Sequence, residues 1–324
     1  MMKMILIISN KEDITTDFLV NKLNYYNIKY FRLNTDEILR SISLNFDFSN
    51  NKYNIYDNNN NSVINLSDIR SVYYRRPKLP KISDDLSTGE ELFVKNELRF
   101  TLEGLYRILD NKFWINNVYR IREAENKIYQ LLLARKLGFS IPSSLISTVE
   151  KSTRDFIKKN NNNCIIKPIK SGLIQDVKVP KNIFTTLLSK KDIENLNRVK
   201  FCPSYFQQKI DKKADIRVTV VGEKLFSAKI NSQEYKETAI DWRKGDNIRL
   251  DYNKIKLPVV IRNKCIDMTK KLGLTFSAID LILSKKDEYI FLEINPNGQW
   301  AWIENRLGYS ISSELINLLQ KGNK

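Results

Sequence analysis

The first apolar run, Met4-Ile5-Leu6-Ile7-Ile8, stops at Ser9-Asn10 and reads as a buried strand. Ile14, Phe18, Leu19 and Leu23 then recur at helical spacing, and a second strand runs from Ile28 to Leu33. The chain therefore opens β-α-β, the start of an α/β layer. Residues 43–48 alternate like a half-exposed strand and lead through Asn- and Asp-rich turns at 49–61 to a hairpin partner. Val72-Tyr73-Tyr74 forms another strand, closed by Arg75-Arg76-Pro77. Leu92, Leu98, Leu102, Leu105 and Leu109 mark a long helix over roughly 88–110.

The middle of the chain begins with a helix over about 121–137, stopped at Gly138, with a strand after Ile141-Pro142. Asn160 to Asn163 form the turn before a short buried strand, Cys164-Ile165-Ile166-Lys167-Pro168, which carries one lysine. Strands follow at 204–210, 216–221, 225–230, 276–283 and 289–294, and an Ile- and Leu-rich helix over about 311–320 ends the chain. There is no internal repeat.

A length of 324 residues suits two or three packed subdomains, and 42% hydrophobic with 28% charged is a globular balance. Histidine is absent. That removes Ser-His-Asp and Cys-His nucleophile systems, imidazole acid–base catalysis and His-ligated metals. Chemistry is left to carboxylates, amides, Lys, Arg and backbone dipoles. The 54 basic and 37 acidic residues give a net charge of +17. Such a field favours nucleic acid, an acidic membrane face, phosphates or an acidic peptide without choosing among them. Cys164, Cys202 and Cys265 form no C-x-x-C, a sparse and odd set that fits a reducing cytosol. The apolar start is too short for a signal-peptide core or a membrane span, so the sequence reads as soluble and cytoplasmic, with no membrane partner.

Three stretches concentrate polar chemistry. In Phe291-Leu292-Glu293-Ile294-Asn295-Pro296-Asn297-Gly298, strand alternation points Glu293 and Asn295 together while Leu292 and Ile294 face the core. Asp280 interrupts the apolar run Ala278 to Ile282, and two carboxylates with one amide oxygen make the oxygen-only set that Mg²⁺ selects. The alternative is a polar strand end whose acids pair with Lys or Arg; a carboxylate inside each of two buried strands is costly unless paired or metal-bound. The second signal is a set of spaced cations, Lys127, Lys167 and Arg217, able to grip phosphates from different segments. For any one lysine, a snorkelling surface chain is the alternative. Lys170-Ser171-Gly172 resembles a phosphate-covering loop with a single glycine. The third is Tyr205-Phe206-Gln207-Gln208-Lys209-Ile210, which can present backbone N–H and C=O to an adenine edge or simply end a strand.

In order, these pieces resemble the ATP-grasp superfamily: a helix lysine, a strand lysine, Asp-x-Arg, a strand Asp and Glu-x-Asn. The closer resemblance is to the ATP-grasp ligases of microviridin-type ω-ester and ω-amide peptides, the graspetides. It is carried by Tyr73-Tyr74-Arg75-Arg76-Pro77, Asn126-Lys127, Phe206-Gln207-Gln208, Asp215-Ile216-Arg217, Asp241-Trp242-Arg243 and Leu292 to Trp300. The resemblance implies α/β and α+β architecture: a pre-ATP-grasp N-terminal domain with linking helix at 1–112, a central subdomain at 113–203 and a C-terminal subdomain at 204–324. It implies Mg²⁺ on Asp280, Glu293 and Asn295, ATP phosphates on Lys127 and Lys167, and adenine against Gln208, Lys209 and Ile210. Asp215 joins this cofactor-binding set. The ribose contact is left unassigned, because Asp211-Lys212-Lys213 stands where wider ATP-grasp linkers carry a Glu.

The reaction so implied activates a carboxylate of a precursor peptide as an acyl-phosphate, which a hydroxyl or lysine amine of the same peptide displaces. Arg217 and Arg243 would stabilise charge, and Asp241 is a candidate base or equally a salt-bridge partner for Arg243. Arg75 and Arg76 either orient the site or, the reading slightly preferred, cap a domain interface. The implied partners are a peptide with a leader and an acidic core, and a second copy of the chain in a homodimer. The rivals are an ATP-grasp ligase for free amino acids or a protein tail, and a non-catalytic binder of nucleic acid or acidic protein. Basic residues dispersed rather than striped with aromatics disfavour nucleic acid.

Overall fold

A computed structural model describes residues 3–170, 172–174, 181–244 and 250–322. The chain divides into two units: Met1–Ile121 with Gly273–Phe276 and Asn297–Lys324, and Arg122–Leu272 with Ser277–Pro296.

The first unit opens with β1 (Met4–Ser9), α1 (Ile14–Tyr25), β2 (Tyr30–Asn34), β3 (Ile42–Asp47), β4 (Lys52–Asp57), β5 (Ser62–Asn65), β6 (Ile69–Tyr74), α2 (Thr88–Ile108) and β7 (Phe113–Ile115). A parallel sheet runs in the order β2-β1-β6-β7. Inner strands of such a sheet are covered on both faces, which is why β1 is an unbroken apolar run with Ile5 to Ile8 all buried. α1 starts where the Asp13 carboxylate accepts the Thr16 N–H at 2.7 Å. Leu19 and Leu23 form its buried stripe, whereas Ile14 stays exposed. α2 carries a capping box between Ser87 and Glu90. Leu92 is exposed, because α2 enters the core only from Val94 and Leu98 onward. The expected hairpin gains a third strand, giving an antiparallel sheet in the order β3-β4-β5.

α3 (Val118–Ala124) and α4 (Lys127–Lys136) replace the single helix expected over 121–137. The Asn126 side chain accepts the N–H groups of Ile128 and Tyr129, each at 3.1 Å, and so starts a new helix whose first residue is Lys127. The second unit continues as β8 (Ser144–Ser147), α5 (Glu150–Lys159), β9 (Cys164–Lys167), β10 (Leu173–Ile174), β11 (Lys181–Asn182), β12 (Thr186–Leu187), α6 (Lys190–Glu194), β13 (Ser204–Gln208), β14 (Lys212–Val221), β15 (Lys224–Ile230), β16 (Tyr252–Lys254), α7 (Val259–Lys271), β17 (Phe276–Ser284) and β18 (Tyr289–Asn295). Its two larger sheets run β12-β9-β13-β8 and β16-β15-β14-β17-β18. β13, expected to open the C-terminal subdomain at 204, pairs with β8 and β9 of the segment before it.

The chain returns to the first unit as α8 (Ala301–Leu307) and α9 (Ile311–Lys321), so residues 297–324 do not complete a C-terminal subdomain as expected. There Trp300 is fully buried, donating from Nε1 to the Tyr73 hydroxyl at 3.1 Å. Arg75 pairs with Asp13 at 3.0 Å and donates to the carbonyls of Asn297 and Gly298, each at 3.1 Å. The Tyr-Arg-Arg-Pro and Gly-Gln-Trp motifs are thus one packed cluster, and Arg75 is an internal strut of the first unit rather than an interface cap. Arg76 is exposed.

Candidate active site

Within the second unit lies a cavity of about 410 Å³. It is lined by Lys127, Lys167, Gln208, Lys209, Ile210, Asp215, Asp241, Arg243, Asp280, Glu293 and Asn295, whereas Arg217, Arg75 and Arg76, also singled out from the sequence, are not among its lining residues. Its lining combines apolar Pro142, Ile165, Ile282 and Leu292, which suit a flat ring, with a set of charged side chains.

The acidic part of the lining is built across β17 and β18, where Asp280 opposes Glu293 and Ala278 opposes Asn295. A one-residue bulge follows, because Leu281 pairs with Phe291 and leaves Leu292 without a cross-strand partner. The bulge brings Leu292 to the cavity beside Glu293, which corrects the expectation that Leu292 faces the core. Arg217, buried on β14, donates from Nη1 to both Asp280 oxygens at 3.0 and 2.8 Å, so it reaches the cavity through Asp280. Burial pushes the Asp280 carboxyl above its ordinary range, opposed by Arg217 and reinforced by the neighbouring Glu293. Burial works the same way on Glu293, but Lys127, Lys167 and Arg243 outweigh it and hold that carboxyl well below the usual range. Lys127 bridges the site, meeting Glu293 at 3.0 Å and the Pro168 carbonyl at 3.1 Å.

Lys167 ends β9 opposite Tyr205, and its ammonium lies 4.6 Å from the centre of that ring. Burial brings its pKa down to about 8, with Glu293 resisting and Lys127 assisting. The Tyr205 hydroxyl accepts from Gln207 Nε2 at 2.8 Å. In the expected adenine run, the Gln208 N–H goes to Ser143 O at 2.8 Å and the Lys209 N–H to Asn163 O at 2.9 Å. Both donors are engaged within the protein.

Asp241 accepts from Arg243 Nε at 2.8 Å and Nη2 at 2.7 Å, and from the Thr185 N–H at 3.4 Å. Burial raises its carboxyl, the Arg243 hydrogen bond and charge lower it, and the lowering wins. A carboxylate so held is a salt-bridge partner, not a poised base. Asp215 turns to Lys212 at 2.6 Å, both side chains less than a tenth exposed, and Lys212 also donates to Ile240 O. This pair props the loop that carries Asp241 and Arg243. Gly172 also has a packing role: a Cβ there would collide with the Ile183 carbonyl oxygen. Ser171 of that segment lies outside the described residues.

Two carboxylates and an amide, gathered from the paired strands β17 and β18, suit Mg²⁺, whose remaining ligands would come from phosphate and water. Among the described residues no group of three or more acidic, Cys or His side chains could hold a metal without Asn295 or substrate oxygens. Thr185 and Gln130 also line the site and were not singled out from the sequence, while Tyr205, Gln207 and Lys212 were named there only within longer runs and given no role. A polar residue one helical turn after Lys127 was the available signal for Gln130.

The family described as the MvdD pre-ATP grasp domain matches residues 4–122, and the RimK-like ATP-grasp domain matches residues 124–319. A Chryseobacterium gregarium RiPP-associated ATP-grasp ligase, solved with ADP and a leader and core peptide, is 28% identical with a TM-score of 0.91 over 99% of this chain and 97% of that one. The macrocyclase MdnC of Microcystis aeruginosa MRC, solved with precursor peptide MdnA, is 26% identical with a TM-score of 0.87 over 99% and 100%. A probable alpha-L-glutamate ligase of Histophilus somni is 25% identical over 217 residues, 65% of this chain and 68% of that protein.

Proposed function

The chain belongs to the RimK-like ATP-grasp family of ligases, and from that premise we propose that it is a peptide macrocyclase that joins side chains of an acidic precursor peptide. The observation that carries this reading is one cavity lined by apolar side chains, by Lys127, Lys167 and Arg243, and by Asp280, Glu293 and Asn295. ATP is the co-substrate. Asp280, Glu293 and Asn295 would hold Mg²⁺, which when bound would supply charge neutralisation for the transferring phosphoryl group. Lys127 and Lys167 bind the phosphate oxygens, and Arg217 orients Asp280 and opposes the upward push of burial on its carboxyl. The Ile210 N–H and the carbonyls of the 208–210 run read the adenine edge.

An Asp or Glu carboxylate of the peptide attacks the γ-phosphorus; the bond to the β-phosphate oxygen breaks, releasing ADP and leaving an acyl-phosphate. A Thr or Ser hydroxyl, or a Lys amine, then attacks the acyl carbon. The carbon–oxygen bond to phosphate breaks, and the acceptor's proton leaves with it. Asp241 grips the Nε–Nη2 edge of the Arg243 guanidinium, which leaves the Nη1 donors to stabilise the charge that develops. The carboxylate nucleophile is ionised at neutral pH, which is why a chain without histidine suffices. The positive field favours an acidic core peptide. The neighbours solved with leader and precursor peptides support this partner. A homodimer and a cytoplasmic location complete the proposal; the three cysteines are free, and no described helix is long and apolar enough to cross a membrane.

The test incubates the protein with ATP, Mg²⁺ and a candidate precursor whose core repeats Thr or Lys with Glu or Asp, followed by mass spectrometry. Loss of one water per linkage with matching ADP is expected; unchanged mass despite verified peptide and nucleotide binding overturns the reading. The likeness to alpha-L-glutamate ligases favours a second reading, addition of free amino acids to a protein or peptide end. It predicts a mass gain of one amino acid less one water.

A further inference from the structure

Gln130 lies on α4, three residues after Lys127, with 2% of its surface exposed. Its amide meets the backbone of Ile294 twice: Nε2 donates to the Ile294 carbonyl at 2.9 Å, and Oε1 accepts the Ile294 N–H at 3.2 Å. The same Nε2 donates to Ala124 O at 2.7 Å, where α3 ends. Ile294 stands between Glu293 and Asn295, and its own side chain is buried and takes no part in the cavity's charge.

We propose that Gln130 is a positioning residue for the cation site, fixing the β18 backbone so that Glu293 and Asn295 present their oxygens at a set spacing. The proposal rests on the reading of Asp280, Glu293 and Asn295 as Mg²⁺ ligands. The two hydrogen bonds hold the two successive peptide units that join Ile294 to Glu293 and to Asn295, and so resist both sliding along the strand and rotation about it. A bulge lies immediately before this stretch, at Leu292, so the β17 ladder by itself holds Glu293 and Asn295 less firmly than it would an unbroken strand. Lys127 acts on the same stretch from the same helix but through charge, on the Glu293 carboxylate. α4 therefore grips one ligand by its side chain and the intervening peptide by its backbone. Mg²⁺ demands near-ideal octahedral geometry, so small shifts of its ligands carry a large cost.

The experiment compares ADP binding by calorimetry with EDTA and with saturating Mg²⁺, for wild type, Gln130→Met and Gln130→Glu. Met fills a similar volume without either hydrogen bond; ionised Glu can still accept the Ile294 N–H but sets a carboxylate oxygen against two carbonyls. The expected result is unchanged ADP affinity in EDTA and a Mg²⁺-dependent gain that falls roughly 10–100-fold in the variants. Should Gln130→Met fail to fold, Gln130→Glu gives the reading, with partial recovery of the gain as pH is lowered toward protonation of the new carboxyl. A full Mg²⁺-dependent gain in a folded variant overturns the proposal, as does an equal loss with and without metal, which would mark a merely structural role. Absence of any Mg²⁺-dependent gain in the wild type overturns the ligand assignment and this proposal together.

Discussion

Lys167 offers a sharp quantitative test, because its burial sets when its charge is present. With a pKa of about 8 in the folded protein against an ordinary 10.5, it is a cation at neutral pH and loses its proton as pH rises through 8. A bound phosphate chain restores the charged form, so nucleotide binding above pH 8 must take up a proton. If the bound group titrates above pH 10, affinity falls by the factor 1 + 10^(pH − 8): about 2-fold at pH 8 and about 11-fold at pH 9. Calorimetry of ADP with EDTA, from pH 7 to 9, reads this directly. Proton uptake near half a mole per mole at pH 8, measured in buffers of different ionisation heat, checks the same group. Fold stability moves the opposite way: between about 8 and 10.5 the unfolded chain holds more protons at this position, so this group favours the fold more as pH rises. Lost affinity is then not unfolding. Lys167→Arg keeps its charge throughout and flattens the profile. Affinity that is level to pH 9 in the wild type, or an unchanged slope in Lys167→Arg, refutes the reasoning. Because Glu293 holds the Lys167 pKa up, Glu293→Gln should move the fall to lower pH.

Glu293→Gln and Asp280→Asn should each cut turnover about a hundredfold or more while circular dichroism stays native; wild-type turnover in either removes the metal assignment. Asp215→Ala leaves Lys212 charged and unpaired at 5% side-chain exposure, for a loss of about 3–5 kcal/mol in urea unfolding. A loss below about 1 kcal/mol contradicts it, and replacing both partners with apolar residues should recover most of the stability. Gly172→Ala forces its Cβ against the Ile183 carbonyl and disturbs the 2.7 Å bond from the Ile183 N–H to the Gly172 carbonyl. Limited proteolysis should then cut beside Gly172 or Ile183 several-fold faster, and an unchanged rate would show that the approach is tolerated.

The cavity's charged residues were legible because their chemistry admits few substitutes and their strands are short and strongly apolar. Asp280 and Glu293 could be found as carboxylates interrupting such strands, and Lys167 as a cation in an Ile-Ile-Lys-Pro run. What escaped were features set by register. The bulge that turns Leu292 to the cavity is one extra residue in a ladder, and alternation along β18 alone carries no trace of it. Ser204–Gln208 reads as a strand, but the sheet it joins is decided by pairing with β8 and β9. Asn126 was read as part of a motif, while its cap, which splits the helix, is an ordinary N-terminal signal overridden by the surrounding apolar period. Asp241 could serve as base or ion-pair partner on sequence, and only the Arg243 geometry decides between them.

The contacts around Ile294 also bear on how the protein behaves at high concentration. β18 is the outermost strand of its sheet, and such an edge offers unpaired backbone groups to any passing chain. Here the Phe291 N–H is taken by Ser140 O at 2.8 Å, and three residues on the Gln130 amide closes the next opening. An extended chain approaching this edge finds both of these openings taken. A folded Gln130→Met enzyme would expose that opening and should aggregate sooner than the wild type on standing.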